Sequence, residues 1–112
     1  MPQLPESVQQ QGPERTTWMR RYSLDPALAD DFIQFLTSKV IPAREELGFT
    51  VESMWISHDK AELTWFVSRP GSEQEYEAAE REWEDSQVRA EIFADAPAAV
   101  QAKDLHPVTR LR

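Results

Sequence analysis

A chain of 112 residues, 40% hydrophobic and 29% charged, fits one folded domain able to bury roughly two thirds of its unfolded surface. Its net charge of −8, from 20 acidic and 12 basic residues, opposes nucleic acid and anionic membrane surfaces as partners. The absence of cysteine excludes disulfides, thiolate catalysis and sulfur-ligated metals, and no apolar run has the length of a membrane span or follows a charged start, so a cytoplasmic protein is expected.

Residues 1–15, MPQLPESVQQQGPER, carry three prolines, a glycine and four glutamines, with Leu4 and Val8 as the aliphatic groups after Met1. Such a segment cannot stabilise a fold of its own, and a flexible N-terminal arm is expected there, with the folded domain running from 16 to 112. Next, TTWMRRYSL alternates in strand fashion, with Trp18, Arg20, Tyr22 and Leu24 on one face and Met19 and Arg21 on the other. Asp25 and Pro26 then supply an N-cap and a first-turn proline, and Leu28, Phe32, Phe35, Leu36, Val40, Ala43 and Leu47 form a helical stripe that Gly48 ends. Pro42 lies inside that stripe and predicts a bend near Val40 and Ile41 without splitting the helix.

The stretch SMWISHDKAELTWFVS reads as a hairpin. Met54, Ile56 and His58 share one face of its first strand and Trp55 takes the other, while Leu63, Trp65 and Val67 stand opposite Phe66 in the second. Ser72 and Glu75 then form a capping box that starts a helix with Tyr76, Ala79 and Trp83 as its apolar stripe, and its many glutamates read as a solvated face. Ser86 can cap a further short helix reaching Phe93, and KDLHPVTRLR closes the chain as a short strand that Pro107 assigns to an edge or a bulge.

The order βαββαβ predicts an α+β, ferredoxin-like domain, a four-stranded antiparallel sheet with both helices on one face. Two helices cover one side of a sheet, yet the hairpin presents large apolar groups to both. A second copy of the sheet is the economical cover, so a homodimer closing into an α/β barrel is expected.

The stretches RRYSLDPALADDFIQFL, IPAREELGF and MWISHD, with ELTWFVS and SEQEYEAAEREWEDSQVRAEIF after them, resemble the short bacterial form of the NIPSNAP family, within the dimeric α/β barrel superfamily. The resemblance spans roughly residues 16–111. It implies a ferredoxin-like subunit that dimerises through its sheet. Activity is not implied, because superfamily relatives include monooxygenases, cyclases, isomerases and haem-binding enzymes, and fold alone does not choose among them. The R-x-Y of the family's first strand falls on Arg20 and Tyr22, and its strand tryptophans fall on Trp55 and Trp65. Ser57 and His58 stand where the family often has an acidic residue, so no acidic site residue carries over there.

The ligand-pocket candidates are Arg20, Tyr22, Trp55, His58 and Trp65, with no metal and no cofactor implied. The SHD triplet at 57–59 holds the residue types of a hydrolase triad, but strand neighbours point to opposite faces and cannot converge. His58 is either a general base in the dimer interior or a plain turn histidine, and with His106 it makes only a weak metal or haem signal. Arg20 and Tyr22 either orient an anionic or carbonyl ligand in the sheet-walled dimer interior or belong to an interface ion pair. Trp55, Trp65 and Trp83 line an aromatic pocket or are core and interface mass, and Arg44 reads as helix surface or as a group crossing the dimer seam. Two functions remain: a small binding or accessory protein, or a cofactor-independent monooxygenase, cyclase or isomerase acting on a small apolar or aromatic molecule.

Overall fold

A computed structural model describes residues 14–112. The arm expected over 1–15 lies outside the described residues apart from Glu14 and Arg15, and Arg15 already opens the first strand. Strands β1 (Arg15–Leu24), β2 (Thr50–Ile56), β3 (Glu62–Pro70) and β4 (Val100–Val108) form one antiparallel sheet in the order β2-β3-β1-β4. With helices between β1 and β2 and between β3 and β4, this is the ferredoxin-like arrangement that the element order implied. β4 is an edge strand, begins three residues earlier than expected, and places Pro107 opposite Trp18. An edge is where a residue without an N–H can sit in a sheet.

The first helical segment is continuous but changes its winding. Asp25 Oδ1 accepts from the Ala27 N–H at 3.0 Å and caps a 3-10 turn, Pro26–Leu28. Helix α1 (Ala29–Phe35), a π turn (Leu36–Val40) and α2 (Ile41–Glu46) follow without a break. Pro42 has no N–H to offer and its ring crowds the preceding turn, so the expected bend takes the form of a widened turn in which the Ile41 N–H reaches back to the Leu36 carbonyl. Thr37 Oγ1 and Ser38 Oγ donate to the Ile33 and Gln34 carbonyls at 3.0 and 2.7 Å. Gly48, at φ +93°, then ends the segment in a backbone conformation that side chains resist.

The second helical segment follows the sequence closely. Ser72 Oγ accepts from the Glu75 N–H at 3.1 Å and Glu75 Oε1 from the Ser72 N–H at 2.8 Å, completing the capping box of α3 (Glu73–Asp85). These bonds hold the exposed Glu75 carboxyl below its ordinary range. Ser86 caps α4 (Gln87–Phe93) by accepting from the Arg89 N–H at 3.1 Å.

The core lies between the sheet and the helices. Phe32, Phe35, Leu36 and Val40 come from the first segment and Tyr76, Ala79 and Trp83 from α3, and all pack on Tyr22, Leu24, Leu63, Trp65 and Val67. Arg20 stands opposite Trp65 and Tyr22 opposite Leu63, so the face that carries Arg20 and Tyr22 is the helix-covered one. This corrects the expectation that they border a dimer interior. No helix among the described residues covers the other face, which carries Met19, Arg21, Thr64, Phe66, Trp55 and His106 and is half polar; Met19 is itself buried, so the exposed apolar surface there is a patch around Trp55 and Phe66, not a whole face.

Candidate functional site

Three elements bring charge into the core. On β1, Arg20 and Tyr22 are two residues apart and therefore point the same way. On the first helical segment, Leu36, Val40 and Arg44 recur every four residues and share the inward stripe. On α3, Tyr76, Glu80 and Trp83, spaced by four and then three residues, share the inward stripe as well, so Arg44 and Glu80 face each other across the helix pair.

The result is a buried arginine pair around one carboxylate. Arg44, 2% exposed, donates from Nη1 and Nη2 to Glu80 Oε1 and Oε2 at 2.9 and 2.8 Å, a bidentate fork. Arg20, 4% exposed, donates from Nη1 to Glu80 Oε2 at 3.4 Å and from Nε to the Tyr22 hydroxyl at 3.0 Å. Aromatic faces replace the lost hydration. Arg44 Cζ stands 5.0 Å from the Phe49 ring centroid and 5.4 Å from that of Trp83, and Arg20 Cζ stands 5.4 Å from that of Trp65.

The protonation states follow from this geometry. Burial acts to raise the Glu80 pKa, but hydrogen bonding and charge from Arg44, then Arg20, outweigh it and hold the carboxyl below its ordinary range. Burial likewise opposes the Arg20 charge, and Tyr22 and Glu80 more than restore it, so the Arg20 guanidinium remains a cation. Burial pushes the neighbouring Tyr76 phenol up to about 12.

Beside this cluster is a pocket of about 230 Å³ between the sheet and the helices. Arg20, Arg44, Arg89 and Lys103 supply its cations, Tyr22, Phe32, Trp65, Trp83 and Phe93 its aromatic walls, and no carboxylate lines it. Lys103 lies over the Tyr22 ring at 5.3 Å and Arg89 over the Phe93 ring at 4.4 Å. Arg89 Nε stands 3.7 Å from Glu84 Oε1, an ion pair too long for a hydrogen bond. Arg44 Nε and Trp65 Nε1 are buried donors with no acceptor among the described residues.

Of the candidates chosen from the sequence, Arg20, Tyr22 and Trp65 meet in this pocket. Trp55 does not: it stands on the opposite sheet face and is 65% exposed. His58 does not either, because it occupies the exposed turn between β2 and β3, where the Lys60 N–H bonds the Ser57 carbonyl at 2.9 Å. The ion pair considered for Arg20 exists, but inside the subunit. Arg44, read as helix surface or as a seam residue, is buried, and Glu80, Arg89 and Lys103 were missed. For Arg44 and Glu80 a signal was present, since these two opposite charges continue the apolar stripes of the two helical segments. Among the described residues, no group of three or more His, Asp or Glu side chains could hold a metal ion, and no helix is long and apolar enough to cross a membrane.

Sheet order, helix placement and the pocket beneath the helices define a ferredoxin-like α+β domain with an arginine-rich, aromatic-walled interior site. That fold is shared with an uncharacterized NIPSNAP domain protein from Burkholderia xenovorans, at TM-score 0.71 and 6% identity over 85% of this chain and 93% of that one. It is shared equally with a NIPSNAP family protein from Agrobacterium tumefaciens, at TM-score 0.74 and 5% identity over 86% of this chain and 92% of the other. A candidate antibiotic biosynthesis monooxygenase from Bacteroides thetaiotaomicron matches at TM-score 0.62 and 16% identity over 88% and 91% of the two chains. At such identities the likeness shows the fold alone, and it is the fold that the residue pattern implied. No protein-family model matches the chain, and no curated protein matches it in sequence.

Proposed function

We propose that this chain is a NIPSNAP-like, cytoplasmic small-molecule binding protein whose site is the pocket between the sheet and the helices of each subunit, with Arg20, Tyr22 and Trp65 among its walls. One observation carries the reading: two arginines are held buried against a single carboxylate at the edge of an aromatic-walled pocket. A purely structural core rarely retains buried ionic groups, since apolar residues of similar volume serve stability as well or better. Clefts that combine apolar walls with a few convergent polar groups and perturbed ionisation are the usual form of a ligand site.

The assembly proposed is a homodimer through the uncovered sheet face, with Trp55 in the seam. A mostly exposed tryptophan beside Phe66 on an unpartnered sheet supports it. Because the pocket lies on the other side of the sheet, dimerisation leaves it open.

A second reading, a cofactor-independent monooxygenase, cyclase or isomerase, draws support from Tyr22. Its oxygen accepts from Arg20 Nε, so its own O–H remains available to a ligand in the pocket it lines. The fold shared with a candidate monooxygenase adds an analogy only.

Thermal shift of the purified protein against a metabolite library tests the binding reading. A ligand present at about 100 times its Kd stabilises by about 2.7 kcal/mol and raises the melting midpoint. Arg20→Met, which keeps length and removes charge, should weaken such a ligand about tenfold. A folded Arg20→Met variant that binds the same ligand unchanged would remove Arg20 from the site. A library without any stabilising ligand counts against the pocket as a binding site.

A further inference from the structure

We propose that the pocket takes a small monocarboxylate with an apolar body about the size of a single ring, an inference that rests on the binding reading above. Four cationic side chains line the pocket and no carboxylate does, in a chain whose net charge is −8. Glu80 is the partner of Arg20 and Arg44 together, so the arginine pair keeps a surplus positive charge. Arg89 has only the long contact to Glu84, and Lys103 has no ion pair among the described residues. Concentrating cations in a low-dielectric cleft of an acidic protein favours one anionic group there.

The donors point the same way. Arg44 Nε and Trp65 Nε1 are buried without an acceptor, on two residues that border the pocket and are themselves 2% and 1% exposed. Buried donors are normally satisfied, and a guanidinium presents a planar fork suited to carboxylate geometry. A carboxylate in the pocket supplies acceptors of that kind. Its body then lies against Trp65, Trp83 and Phe93. A volume of about 230 Å³ falls below the roughly 300–1,000 Å³ of drug-sized sites, which limits that body to one ring or a branched chain. Larger polyanions fit neither the volume nor the negative field of the rest of the chain.

Calorimetry on the full chain tests this with benzoate and phenylacetate, their neutral amides, and inorganic phosphate, alongside tryptophan fluorescence as a report on Trp65 and Trp83. The carboxylates are expected to bind at least about tenfold more tightly than the amides, with phosphate weaker than either carboxylate. The double variant Arg89→Met, Lys103→Met alters the less buried cations and spares the buried pair. It should weaken the carboxylates about tenfold and leave the amides unchanged. Amides that bind as tightly as the acids overturn the monocarboxylate assignment and leave the pocket intact, as does tighter binding of phosphate. If no compound binds and tryptophan emission stays unmoved at millimolar concentrations, the monocarboxylate assignment falls, and the binding reading falls with it only if the metabolite library also yields no stabilising ligand.

Discussion

Glu80→Gln isolates the electrostatics of the core. Glu80 accepts three charge-assisted bonds, at 2.9, 2.8 and 3.4 Å, from two buried guanidiniums. Glutamine keeps the volume and one acceptor oxygen, turns a donor toward a donor, and leaves two cations without their anion. Removing one partner of a buried ion pair costs about 3–5 kcal/mol, and since the Glu80 side chain is 23% exposed the lower figure of about 3 kcal/mol applies. For a domain near 100 residues each kcal/mol moves the midpoint by about 4 °C or more, so the variant should melt roughly 12 °C lower at neutral pH. The pH dependence carries the sharper test. The folded-state pKa of Glu80 is depressed, so its stabilisation is fully present above the unfolded value of about 4.3 and is lost as pH falls through the folded value. Urea midpoints measured from neutral pH down to about pH 2 should therefore show wild type approaching the variant only below about pH 4, as acid removes the charge. A loss below about 1 kcal/mol at neutral pH, or a gap that persists undiminished into acid, would refute the claim that Glu80 is the anion on which the arginine pair depends.

Three further outcomes follow from other parts of the molecule. Trp55→Glu should convert a sedimenting dimer into a well-folded monomer with an unchanged pocket, and a wild-type chain that is already monomeric at micromolar concentration removes the proposed assembly. Ser72→Ala deletes the hydroxyl of the α3 capping box and should cost about 1 kcal/mol by urea unfolding, whereas a change of only a few tenths would mean that the helix start is held by packing alone. In a Tyr22→Phe background, ultraviolet titration should find the remaining phenol, Tyr76, un-ionised until about 12. Because that pKa is raised above its unfolded value of about 10, the stabilisation it carries is complete below about pH 10 and fades as pH rises through the folded value, so a phenol titrating near 10 contradicts its burial.

Much of this molecule is written in local pattern. Asp25 with Pro26, the Ser72–Glu75 box and Gly48 mark helix ends through bonds and backbone preferences that span only a few residues, and each was legible without coordinates. The alternation in β1 likewise placed Arg20 and Tyr22 side by side. Pro42 announced a disturbance, although not its form as a π turn. What alternation cannot say is which of two faces is inside. It divides the residues of a strand into two sets, and only the positions of the helices decide which set they cover. The candidate residues divide along that line. Trp55 and Trp65 are equally aromatic and ten residues apart, yet the helices fall over Trp65 and leave Trp55 in solvent. Arg44 and Glu80 are separated by 36 residues, and although each continues an apolar stripe, nothing local names the other as its partner. Their pairing exists because two helices pack on one sheet and turn both stripes toward the same point, where low dielectric and lost hydration make a charge seek its opposite.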